Sequence, residues 1–140
     1  MPQPTTRARP TGHPGYSETL PREPASAATA RRLVRAACAT WNLVGLADDS
    51  ALIISELVSN AVQHARRESI RVIIERPGAA RMRVGVVDFS KAQPVRKAPG
   101  PEGEGGRGLT LVGELAADWG TDPLPWGKQV WAELHEKGEK

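Results

Sequence analysis

The sequence has a single cysteine and no apolar run long enough to cross a bilayer. Cys38 alone excludes an internal disulfide, and no Cys/His pair has the spacing of a metal-ligand set. Its neighbours Leu33, Val34, Ala37 and Trp41 suit a small apolar residue in a reducing compartment, so a cytoplasmic protein without a membrane partner is expected. Met1 to Pro21 lacks the apolar stretch of a secretory signal. Aromatics are scarce, at 4%, and do not interleave with basic residues. The net charge of +3 draws much of its positive side from Arg7, Arg9, Arg22, Arg31, Arg32 and Arg35, which is not the pattern of a nucleic-acid groove. Neither a G-x-x-x-x-G-K-[ST] phosphate loop nor a βαβ alternation is present. What remains is a 140-residue chain, 39% apolar and 25% charged, sized for one globular domain.

Proline is spread through residues 1–21, which read as a disordered or loosely docked tail with a short extended piece at Tyr16-Leu20 that could add an edge strand. A helix is predicted from Pro24-Ser26, with Ser26 able to cap, to Trp41, and ends at Asn42 to Gly45. A second opens at Ala47-Asp48-Asp49-Ser50 and runs to Ala65; Ile53, Ile54, Leu57, Val58, Ala61 and Val62 make it apolar around most of its girth. Ser69-Arg76 and Arg81-Asp88 flank Pro77-Gly78 and read as an antiparallel hairpin with one wet face. A long Pro- and Gly-rich loop, Phe89 to Gly108, precedes a third helix over Arg107-Ala117. Strands Asp118-Thr121 and Lys128-Leu134 follow, and residues 136–140 form a frayed tail. This order predicts an α+β two-layer sandwich, its mainly antiparallel sheet covered on one face by three helices.

Three features carry chemistry. Glu56, Asn60 and His64 stand at i, i+4 and i+8 of the second helix, drifting only about 40° per step. A polar stripe on an otherwise apolar helix needs partners when buried, although on the helix alone a plain solvent face explains it equally well. Asp88 ends the apolar strand Val84-Gly85-Val86-Val87, where its carboxylate can accept from an amino group or merely cap a turn. Gly103-Glu104-Gly105-Gly106-Arg107-Gly108-Leu109 opens a helix, where backbone N–H groups and the dipole can hold phosphate.

In that order the residues resemble a known family. Ser55-Glu56-Leu57-Val58-Ser59-Asn60-Ala61-Val62-Gln63-His64-Ala65 is similar to the N box of the GHKL ATPase superfamily, in particular of the small domains related to anti-sigma factor serine kinases. Val86-Val87-Asp88 resembles the start of its first glycine box, and Gly106-Arg107-Gly108-Leu109-Thr110-Leu111-Val112 resembles the second. Gly127 to Leu134 is similar to the closing strand. The resemblance implies a Bergerat-type ATP-binding fold with a mixed sheet, and an ATP-binding kinase-like domain over residues 22–135. It implies Mg²⁺ held by Asn60, Glu56 as the general base, and Asp88 accepting the adenine amino group. Gly106 and Gly108 would reach the phosphates, with Leu109 beside them and His64 and Arg107 as neighbours. Transfer of the γ-phosphate to a small protein is implied, with a sigma factor or a STAS-like anti-anti-sigma protein as partner and a homodimer as assembly. Two departures favour the alternative of a non-catalytic ATP-sensing or protein-binding switch. Asp88 is followed by Phe89-Ser90-Lys91-Ala92 instead of D-x-G-x-G, and Gln129 stands where related strands carry a Thr near the adenine.

Overall fold

The computed structural model describes residues 5–8, 14–64, 67–89 and 104–136, with the side chains of 5–8 and 104–109 excepted. The chain runs β1 (Thr5–Ala8), β2 (Pro14–Pro21), α1 (Ser26–Thr40), a 3-10 turn (Val44–Leu46), α2 (Ala47–His64), β3 (Ser69–Gly78), β4 (Arg81–Asp88), α3 (Glu104–Leu115), β5 (Asp118–Leu124) and β6 (Gly127–His135). The strands form one six-stranded sheet in the order β1-β2-β3-β4-β6-β5. The architecture is the expected α+β sandwich, but every pairing among the described residues is antiparallel, so the sheet is not mixed. The greater part of the long loop expected after Asp88, and residues 137–140, lie outside the described residues.

Several boundaries differ from the sequence reading, each for a local reason. The extended piece at Tyr16-Leu20 is a full strand that begins at Pro14, and it is interior, because β1 pairs on its far side. Proline is tolerated there because Pro14 and Pro21 occupy the two ends of the strand. The β3–β4 turn falls at Ala79-Ala80 instead of Pro77-Gly78, since β3 extends through an irregularity to pair Gly78 with Arg81. Helix α3 begins at Glu104, so Gly105, Gly106 and Gly108 lie within its first turns and not in a turn before it.

The helix ends are built by specific bonds. Ser26 does not cap α1; its hydroxyl donates to the Pro21 carbonyl (2.6 Å), tying the helix start to the end of β2. Asn42 adopts φ 58°, a left-handed conformation that Asn accepts better than most residues. Around it Leu43 N–H donates to Cys38 O (2.8 Å) and Asn42 N–H to Ala39 O (3.3 Å), a Schellman closure that drops Leu43 into the core. Ser50 likewise donates backward, to Leu46 O, while Asp48 and Asp49 occupy the dipole's positive end.

One face of the sheet meets the helices. Val34 and Cys38 of α1, Ile53, Ile54, Leu57 and Val58 of α2, and Val112 of α3 pack over alternate residues of β3, β4 and β6, such as Val72, Val84 and Ala132. The opposite face is drier than simple alternation implies: Ile73, Glu75 and Val87 are buried there. Long side chains account for this. Arg71 reaches over Ile73 to Ser17 (3.2 Å), and the Arg83 guanidinium lies over the Trp131 ring (4.5 Å to its centre). Glu133 accepts from Arg81, Arg83 and His135 at 3.1–3.2 Å.

Candidate functional site

A cleft opens where the C-terminal half of α2 passes over the Asp88 end of β4 and the start of β6. Among the described side chains it is lined by Leu57, Asn60, Ala61 and His64 from α2, Val86 and Asp88 from β4, and Lys128 and Val130 from β6. It is shallow and open to solvent, with enclosed room of only about 10 Å³, enough for about one water molecule. Local sequence explains the arrangement. The apolar girth of α2 presses the helix flat on the sheet, so the stripe that carries Asn60 and His64 borders the cleft beside buried Leu57 and Ala61. Arg22 secures the last turn by donating to Val62 O (3.0 Å), a free carbonyl at the end of α2, and to Arg67 O (2.7 Å) just beyond the helix.

On the sheet side the register decides what enters the cleft. Asp88 pairs with Lys128, and Val86 with Val130, so these four side chains share the helix-facing side. Asp88 is 4% exposed. Beyond it the chain is held by two contacts with the β5–β6 turn. Gly127 lies so close to the Asp88 carbonyl that no Cβ could be placed there, and Phe89 stacks on Trp126 with ring centres 5.4 Å apart. Phe89 takes the variable position after Asp88 in D-x-G-x-G; Ser90 and Ala92, which replace the two glycines, lie outside the described residues.

The structure therefore brings Asn60, His64 and Asp88 together from two distant stretches. Glu56 stands one turn before Asn60, half-buried and outside the lining set. Gly106, Arg107, Gly108 and Leu109 lie in the opening turns of α3, which packs on α2, and their side chains are outside the described set. Gln129, which stands where related strands carry a Thr near the adenine, pairs with Val87 on the outer face, against Gly85; Lys128 and Val130 are the residues that line the cleft from the closing strand. Counting alternation back from buried Val130 would have found Lys128.

Leu57, Ala61, Val86 and Val130 give the cleft apolar walls, with the buried Asp88 carboxylate beside them. Among the described residues no group of three His, Cys, Asp or Glu could cage a metal ion. An Mg²⁺ would fit only as such an ion usually binds beside a nucleotide, on the Asn60 amide oxygen together with phosphate oxygens and water. No helix among the described residues is long and apolar enough to cross a membrane.

The fold has a counterpart among solved structures. The histidine kinase domain of the Erythrobacter litoralis EL346 blue-light activated histidine kinase superposes with a TM-score of 0.51 at 23% identity, over 84% of this chain and 62% of that one. That similarity speaks for the fold, and this chain spans under two thirds of the length of that domain. The sequence carries the assignment further: the family model of the histidine kinase-like ATPase domain matches residues 20–133. The chain belongs to that family. No curated protein matches the chain.

Proposed function

We propose that the protein is an anti-sigma factor-type serine/threonine protein kinase, which binds MgATP in the α2–β4–β6 cleft and phosphorylates a small protein partner. The observation that carries this reading is the convergence of Asn60 and Asp88, 28 positions apart, on one apolar-walled cleft. Asp88 accepts the base amino group at the closed end. The Asn60 amide oxygen faces the phosphate end and offers a hard-ion ligand. Bound Mg²⁺ would neutralise charge on the transferring phosphoryl group. Glu56, one helical turn from Asn60, takes the proton of the attacking Ser or Thr hydroxyl. His64 and the opening turns of α3, with Arg107 and the Gly106, Gly108 and Leu109 backbone, neighbour the phosphates. A sigma factor or a STAS-like anti-anti-sigma protein is the proposed partner, a homodimer the proposed assembly, and the cytoplasm the proposed location.

A second reading, a non-catalytic ATP-sensing or protein-binding switch, is favoured by one feature. Ser90 and Ala92 stand where the D-x-G-x-G pattern has its two glycines. Incubation with radiolabelled ATP, Mg²⁺ and a STAS-like protein separates the two. The kinase labels the partner and Glu56→Gln abolishes labelling with ATP affinity retained. ATP binding with no labelling of the partner favours the switch, and no calorimetric heat with ATP excludes both nucleotide readings.

A further inference from the structure

We propose that Arg22 is a positioning residue for the cleft: its guanidinium closes the last turn of α2 and thereby fixes the Asn60 amide that receives Mg²⁺. The inference rests on the MgATP reading above and deepens it by naming a residue, outside the cleft, on which the metal ligand depends. Arg22 directly follows β2, on the way to α1. Its backbone N–H donates to Glu68 O (2.7 Å), which ties it to the chain entering β3. From that anchor Nη1 donates to Val62 O (3.0 Å) and Nε to Arg67 O (2.7 Å). The side chain is half-buried and forms no ion pair among the described residues, so its donors are committed to carbonyls.

The position of Val62 gives this contact its consequence. Helix α2 ends at His64, so the Val62 carbonyl lacks the N–H that a further turn would supply. In such a helix the His64 N–H closes the final turn on the carbonyl of Asn60. Fraying of the end therefore releases Asn60 and His64, while Leu57, buried and nearly one turn earlier, stays packed in the core. Arg22 opposes fraying twice over: it satisfies the free carbonyl, and it sets a positive charge at the negative end of the helix dipole. A lysine would keep the charge but lose the fork that spans Val62 O and Arg67 O. Mg²⁺ demands near-ideal coordination geometry, so a loosened Asn60 costs the metal more than the base. The sheet side of the cleft, Val86 and Val130, is not held by Arg22.

The test is calorimetric titration of the full chain with ATP, in Mg²⁺ and in EDTA, for the wild type, Arg22→Met and Arg22→Lys, with thermal melting to verify folding. The ratio of the two dissociation constants measures what Mg²⁺ adds. Arg22→Met should lower that ratio by about fivefold, the equivalent of one hydrogen bond, and change the affinity in EDTA by less than about threefold. Arg22→Lys should lower it by about half as much on the free-energy scale, about twofold. On an Asn60→Ala background Arg22→Met should leave the ratio unchanged, because the group it positions is gone. A lower melting temperature with an unchanged ratio overturns the inference, making Arg22 a fold anchor only, as does failure of both Arg22 variants to fold. Equal weakening of ATP in Mg²⁺ and EDTA also overturns it, as does a falling ratio on the Asn60→Ala background. A wild type that binds ATP equally with and without Mg²⁺ overturns it and leaves nucleotide binding standing. A folded wild type that binds no ATP overturns both readings.

Discussion

Gly127 rests directly against the backbone carbonyl of Asp88, with no room for a side chain between them. The carboxylate at the floor of the cleft is thus positioned partly by a glycine on a different strand. The same turn supplies Trp126, which stacks on Phe89, so both residues at the exit of β4 are held by the β5–β6 hairpin.

Gly127→Ala should therefore act on the site and on the fold together. A Cβ would overlap the Asp88 carbonyl and lie 3.2 Å from Phe89 Cα, so the strand end must shift. We expect a loss of about 1–3 kcal/mol in denaturant unfolding, the range of overpacking substitutions. Nucleotide affinity should fall with it by about tenfold or more, because Asp88 moves. Unchanged affinity in a destabilised variant would show that the position of Asp88 does not depend on this contact.

The Phe89–Trp126 stack predicts a coupling that neither single substitution reports alone. A double-mutant cycle with Phe89→Leu and Trp126→Leu should return about 0.5–1.5 kcal/mol of interaction energy by chemical denaturation. A coupling near zero would mean that the rings touch without holding the exit of β4.

Glu133 predicts an acid-sensitive contribution to stability. Burial by itself would raise its carboxyl. Hydrogen bonds from His135 and Arg83 and the charges of Arg83 and Arg81 outweigh that, and hold it below the usual value of 4.5. A carboxyl lowered in the folded state stabilises the protein above its unfolded-state value and loses that contribution as pH falls through the folded one. Glu133→Gln should cost about 1–3 kcal/mol at neutral pH. It should also flatten the decline of stability between about pH 5 and pH 3 seen in the wild type. Parallel pH profiles for the two proteins would contradict this.

Cys38 predicts a silent thiol. It is 0% exposed, and burial pushes its thiol upward against the opposing hydrogen bond to Ser50. A thiol reagent such as dithionitrobenzoate should leave the native protein unmodified and titrate one thiol on unfolding. Rapid modification under native conditions would mean that the α1–α2 contact opens readily.

Much of this was legible before any coordinates. The apolar spacing of α1 and α2, the E-x-x-x-N stripe and the strand ending in Asp88 follow from periodicity, and the structure places Asn60, His64 and Asp88 around one cleft. What escaped the sequence has physical causes. Strand β2 hides among prolines, because its assignment depends on pairing with β3 and not on its own composition. The Lys128–Gln129 assignment turns on a register of one residue, fixed by the pairing with Asp88 and by alternation back from Val130. The dry outer face depends on Arg and Trp side chains crossing between strands, a contact that alternation along a single strand cannot express. The glycines of α3 read as a turn because glycine disfavours helix interiors, yet the backbone is already helical at Glu104.

The most direct test of the nucleotide cleft is a crystal structure of the protein grown with a non-hydrolysable ATP analogue and Mg²⁺. The purine should lie between Leu57 and Ala61 on one side and Val86 and Val130 on the other, its polar edge on Asp88 and its phosphates toward Asn60. A structure at saturating analogue in which that cleft is empty, or in which the nucleotide sits elsewhere, would contradict the account.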